Sequence, residues 1–263
     1  MPLVFAGISP HPPLLIPSIG KENIKKIEQT QKALGKLEED LYLTHPDIIV
    51  IISPHGSCFS DAFTINMSPE YITDLREFGD LTTRLKFKGE LSLAAKIREY
   101  GKEQELPIAM VSEEKLDHGS SVPLYFLTAH LPGINILPIG FCNADRKTHL
   151  DFGKLINDNI ADTNKRVAVI ASGDLSHALK TEAPAGYNPA GTEFDAKIQE
   201  LLSTGNTAGL MQLDEKFVES ASECGFRSFL ILMGILRDIK YQYKSYSYEG
   251  PFGVGYLVAN FVI

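Results

Sequence analysis

The chain has 263 residues, 44% of them hydrophobic and 22% charged, with a formal net charge of −8. This is the composition of an ordinary globular protein. With no basic stripe or aromatic-basic interleaving, it excludes nucleic acid as a partner, and no apolar run approaches the ~20 residues of a membrane span. Cys58, Cys142 and Cys224 are widely spaced and form no CxxC pair, which fits a reducing, cytoplasmic setting. The first residues carry no positive region, so no signal peptide is expected. No composition shift marks a boundary, and a single domain over residues 1–263 is expected.

In chain order, Leu3 to Ile8 reads as a strand, followed by a proline-rich loop to Pro17. Lys21 to Leu43 carries Ile24, Ile27, Leu34, Leu37 and Leu41 at helical spacing and ends at His45-Pro46. Asp47 to Ser53 reads as a strand around the continuous apolar run Ile48 to Ile52, the pattern of a strand buried on both faces. Phe63 to Met67 is a short strand, Ser68 to Asp80 a loop, and Leu81 to Phe87 an alternating, half-exposed strand. Glu90 to Gly101 is helical, Ile108 to Ser112 a strand, and Ser120 or Ser121 caps a helix through Ala129. Strand Asn135 to Phe141, helix Thr148 to Ile160 and strand Arg166 to Ala171 follow. Ala178 to Gly191 reads as loop, and Glu193 to Leu202, Thr207 to Leu213, Lys216 to Glu223 and Phe226 to Ile239 as helices. Tyr241 to Tyr248 and Gly253 to Val262 form a terminal antiparallel hairpin with Gly250-Pro251 in the turn. The alternation predicts an α/β fold: a central, mainly parallel or mixed sheet flanked by helices, closed by an antiparallel hairpin.

Chemistry concentrates where strands end. Ser9-Pro10-His11-Pro12-Pro13 follows the first strand, and Ser53-Pro54-His55-Gly56 follows the apolar run. Asp117-His118-Gly119-Ser120 and Ser172-Gly173-Asp174-Leu175-Ser176-His177 complete the set. Open α/β sheets place ligands at the carboxyl ends of their strands, so these four histidine loops are expected to converge. Imidazole is a common metal ligand, and two histidines with one carboxylate make the facial triad of non-haem Fe(II) oxygenases. His11 and His55 are the natural pair. The carboxylate candidates are Asp61, Asp117, Asp174 and Glu223. Glu223 is preferred because an unpaired carboxylate in its apolar neighbourhood would be costly; a pairing with Arg227 would satisfy it equally well. Cys224 reads as a small buried hydrophobe, although a thiolate would suit a soft metal. His177 and His118 are the acid-base candidates, and Ser53 and Asp174 are expected to face substrate. There is no phosphate-binding loop, no GxGxxG after a strand and no GxSxG elbow.

The four loops, in this order and at this spacing over nearly the whole chain, resemble class III extradiol ring-cleavage dioxygenases, catalytic-subunit type, and the related Memo-like proteins. The resemblance implies Fe(II) on His11, His55 and Glu223, His177 as the acid-base residue and His118 lining the pocket. It also implies a small aromatic diol and O2 as substrates, and a fold often dimeric or paired with a second subunit. Two other readings stand beside it. A Memo-like metal-binding protein with a redox or partner-binding role would use Cys224 instead of Glu223, and a Zn-dependent hydrolase would use an activated water.

Overall fold

A computed structural model describes residues 2–263. In chain order the elements are β1 (Leu3–Ser9), α1 (Pro17–Gly20), α2 (Glu28–Leu43), β2 (Ile48–Ser53), β3 (Phe63–Asn66), β4 (Glu70–Thr73), β5 (Lys86–Gly89), α3 (Leu91–Glu103), β6 (Ile108–Val111) and β7 (Lys115–Leu116). They continue with α4 (His118–Leu127), β8 (Asn135–Gly140), α5 (Arg146–Ala161), β9 (Val167–Ser172), α6 (Pro189–Ser203), α7 (Thr207–Gln212), α8 (Glu215–Ala221), α9 (Phe226–Ile235), β10 (Gln242–Glu249) and β11 (Tyr256–Val262).

All eleven strands join one mixed sheet, whose main order is β10-β11-β1-β9-β2-β8-β5-β4-β7. Its centre, β1, β9, β2 and β8, is parallel. Alternation decides which side chain meets which helix layer. Along β2, Ile48, Val50 and Ile52 point to the face covered by α3, α5, α6 and α9, with Phe152, Phe194 and Phe229 in that core. Ile49 and Ile51 point to the other face, covered by α2 and α4 through Leu34, Leu37, Val122 and Leu124. Every residue of β2 and β9 is buried, as a strand covered on both faces requires. The terminal strands pair antiparallel with each other, and β11 pairs antiparallel with β1. No helix among the described residues is long and apolar enough to cross a membrane.

Several expected boundaries shift for local reasons. The stretch Ser68 to Asp80 contains β4, which pairs with β5 and buries Tyr71; four residues are too few to display a period. The strand expected from Leu81 begins only at Lys86, because the Asp80 carboxylate accepts the backbone N–H groups of Thr82 and Thr83 and turns the chain there. The long second helix opens as a 3-10 segment, Lys21–Ile27. The fourth helix is capped by Asp117, not by a serine, so His118 is its first residue.

The loop after β9 is anchored from behind by Asp195 of α6. Its carboxylate accepts the Ser176 N–H at 2.8 Å and the Tyr248 O–H at 2.6 Å. Burial pushes this carboxyl up to about 6. A carboxyl raised in the folded chain binds its proton more tightly there than when unfolded, so its contribution is complete below about pH 4 and is lost as pH rises through about 6. Asp195→Asn should therefore flatten the stability profile between pH 4 and 6 by on the order of 2–3 kcal/mol, measured by urea unfolding of both proteins across that range.

Candidate metal centre

The parallel register aligns three serines at the carboxyl edge of the sheet. Ser9 pairs with Ser172, and Ser53 lies one residue beyond the paired Ile52 and Ala171. β1 and β2 then break into their loops at Pro10 and Pro54, since proline cannot donate to the ladder, while the Gly173 N–H after β9 makes one more bond, to Ser9 O at 3.1 Å, before the chain turns. The loops consequently leave the sheet at one level and turn toward one another.

His11 is the centre of the cluster and is buried. Its Nε2 lies 3.0 Å from His55 Nε2, 3.6 Å from Cys224 Sγ and 3.9 Å from Asp174 Oδ2. Two donor sets share it: His11, His55 and His118, and His11, Asp174 and Cys224. The rings of His55 and His118 stack at 4.2 Å, and Phe78 meets His118 edge-on at 5.2 Å. His11 is held by its own backbone N–H, which donates to Asp174 Oδ1 at 3.0 Å, and by a 2.9 Å contact from Nδ1 to Ser172 Oγ. On the facing side, Ser53 Oγ donates to Asp117 Oδ1 at 2.5 Å and accepts the His55 N–H at 3.2 Å. Asp117 also takes the Ser120 N–H and O–H, so it is fully engaged in holding the start of α4.

The electrostatics are those of a desolvated site, offset in part at His55 and His118 by the Asp117 carboxylate. Burial, with His55, His118 and His177 nearby, keeps His11 well below the usual imidazole range, and burial with His118 brings His55 to about 4. Burial also depresses His118 and His177. It raises the Asp174 carboxyl to about 7 and the Cys224 thiol well above its ordinary value. Neutral imidazoles beside a carboxyl and a thiol whose protons burial makes harder to remove are groups that a divalent cation would hold together, binding the imidazole lone pairs and favouring loss of the acidic protons. The residues present therefore fit a metal.

The other expected residues fall as follows. Glu223 belongs to neither donor set among the described residues. Its Oε2 accepts the Phe226 N–H at 2.5 Å, and it lines a separate cavity of about 680 Å³ with Arg146 and Arg227. Burial raises its carboxyl to about 7. The neighbouring Cys224 is the residue that turns to His11. Asp174 stands beside His11, while the Ser53 hydroxyl is committed to Asp117 and the His55 backbone. His177 donates its N–H to Ala221 O, and its Nε2 is buried without a partner. Asp61 is exposed. A cleft of about 240 Å³, lined by Ser53, His55, Thr64, Glu77 and Asp117, opens beside His55. Phe78 and Ser172 were not singled out from sequence; Phe78 lies in a stretch read as loop, and a strand-end serine carries no signal of its own.

Close approach is essential at Gly119, where a Cβ would lie 2.4 Å from Ser53 Oγ and 3.2 Å from His55 Cδ2. Gly119→Ala should displace the His55 loop and lower Zn2+ affinity at least about tenfold, as loss of a residue supporting a ligand does, with far-UV circular dichroism unchanged. Isothermal titration of Zn2+ into both proteins measures it.

Comparison with known proteins places this geometry in context. Residues 6–259 match the family described as the catalytic LigB subunit of aromatic ring-opening dioxygenase. Protein CA_C1420 of Clostridium acetobutylicum is 34% identical over 256 residues, covering 94% of this chain and 55% of that protein. A 2,3-dihydroxyphenylpropionate/2,3-dihydroxicinnamic acid 1,2-dioxygenase of Xanthobacter autotrophicus is 26% identical over 64% of this chain and 55% of its own length. A MEMO1 family protein of Methanosarcina mazei is 28% identical over 43% of this chain and 39% of its own length. The chain thus spans about half the length, or less, of these curated relatives. Among solved structures, an uncharacterized protein of Escherichia coli K12 shares the fold with a TM-score of 0.65 at 15% identity, covering 98% of this chain and 99% of that one. The chain belongs to the LigB family of aromatic ring-opening dioxygenase catalytic subunits.

Proposed function

We propose that the chain is a metal-dependent dioxygenase of the extradiol type, acting on a small catecholic diol with O2 at an Fe(II) centre. One observation carries the metal: His11 Nε2 lies within 4 Å of His55 Nε2, Cys224 Sγ and Asp174 Oδ2. The family carries the reaction class. His11 and His55 supply the two imidazoles. For the anionic donor, the geometry favours Asp174 or Cys224 over Glu223, whose carboxylate is engaged by Phe226. A ferrous ion would supply a template for diol and O2 together, with electron density passed between them.

The chain's own residues support this chemistry in defined ways. His177 is kept neutral by burial, so its ring can accept a diol proton and return it. His118, fixed between His55 and Phe78, offers a flat wall to an aromatic ring. The cleft lined by His55, Ser53 and Asp117 offers space on the His55 side of the cluster.

A second reading is favoured by Cys224. The set of His11, Asp174 and Cys224 brings a thiol, which suits a softer ion, and fits a Memo-like metal protein with a redox or partner-binding role. The same imidazoles would also hold zinc for a hydrolase.

Anaerobic purification, metal analysis, Fe(II) reconstitution and a catechol panel with O2 test the proposal. The expected result is stoichiometric iron and a yellow ring-opened product. His55→Ala should lose the metal, and His177→Ala should keep the metal while turnover falls about 10²–10⁴-fold. Metal retained at full occupancy in His55→Ala would overturn the centre; metal without turnover on any diol would favour the Memo-like reading. Metal binding by Cys224→Ser, Asp174→Asn and Glu223→Gln, compared side by side, identifies the third donor; metal loss only in Glu223→Gln would reverse the assignment made here.

A further inference from the structure

Helix α4 carries a proline inside it, Pro123. Proline has no N–H, so the carbonyl four residues earlier loses its helical partner. That carbonyl belongs to Gly119, beside the candidate centre. Its partner comes from another element: Ser172 Oγ, at the end of β9, lies 2.5 Å from Gly119 O. A carbonyl can only accept, so the serine's single proton is spent on this bond. The same Oγ lies 2.9 Å from His11 Nδ1. With its proton already given away, Ser172 can only accept there, and Nδ1 must be the nitrogen that carries hydrogen.

We propose that Ser172 is a positioning residue: by giving its only proton to Gly119 it holds His11 as the Nδ1–H tautomer and presents the Nε2 lone pair to a metal. The inference rests on the metal-centre reading for its purpose, though not for its geometry. It has a corollary. His55 Nε2 stands 3.0 Å from His11 Nε2, and since the latter has only a lone pair, His55 is the ring that carries an Nε2–H in the metal-free protein. Metal entry then requires His55, not His11, to move its proton.

Ring nitrogens report this directly. In metal-stripped, reduced full-length chain labelled with 15N at histidine, long-range 1H–15N correlation spectra should show His11, assigned by its loss in His11→Gln, as the Nδ1–H form. Added Zn2+ should shift the His55 pattern and leave the His11 tautomer unchanged. Ser172→Ala should release His11 from that tautomer and lower Zn2+ affinity about 10–100-fold, while Ser172→Thr, which keeps the hydroxyl, should restore both. A wild-type His11 in the Nε2–H form overturns the proposal without recourse to any variant, as does a folded Ser172→Ala with unchanged tautomer and unchanged Zn2+ affinity. Retention of the Nδ1–H form in a chain that binds no Zn2+ upholds the assignment and removes the metal-centre reading instead.

Discussion

The site depends on the common register of three neighbouring parallel strands. Because β1, β9 and β2 run in the same direction and stop at the same level, the loops that follow begin from one edge within reach of one another. Strand spacing is about 4.8 Å, so residues one or two positions beyond adjacent strand ends can meet once proline or glycine stops the ladder. A slip of one residue in any of these strands would exchange the side chains packed against the two helix layers and shift its loop relative to the others. The buried isoleucine run of β2 is therefore as necessary to the site as its histidines.

Much of this was legible in sequence. The apolar runs located the parallel strands, and the Ser-Pro-His breaks showed where they end. Fold class, the terminal hairpin and the convergence of His11, His55 and His118 follow from these signals. Which of Glu223 and Cys224 stands beside His11 did not. Glu223 and Cys224 are adjacent in sequence, and which one faces His11 is decided by the backbone approaching α9, where Glu223 caps the Phe226 N–H and so turns toward a different cavity. Apolar surroundings suggested a need for a partner at Glu223; a backbone N–H met it. The four-residue strand β4 and the Asp80 turn were hidden for a related reason: a single carboxylate taking several N–H groups overrides a weak alternation.

The chemistry of the centre is a balance between burial and proton occupancy. Desolvation lowers its imidazoles and raises its carboxyl and thiol. A cation entering such a site displaces protons, and occupancy becomes sensitive to pH through the acidic donors more than through the imidazoles. The surrounding network has fixed roles: Asp117 holds Ser53 and the start of α4, Asp195 holds the loop after β9, and Ser172 ties that strand to α4. None of these groups is left free to follow a substrate.

Gly173 and Gly225 pack so closely that a Cβ on the first would lie 2.3 Å from the Cα of the second. This contact seats Cys224 against the loop after β9, where its sulfur receives the Asp174 N–H at 3.3 Å. The two glycines belong to separate segments, one directly after β9 and one directly before α9. Since β9 lies between β1 and β2 in the sheet, the loop that receives Cys224 follows the strand that separates the His11 and His55 strands. A change at either glycine would thus reach the sulfur beside His11 through the backbone alone, without touching any donor side chain.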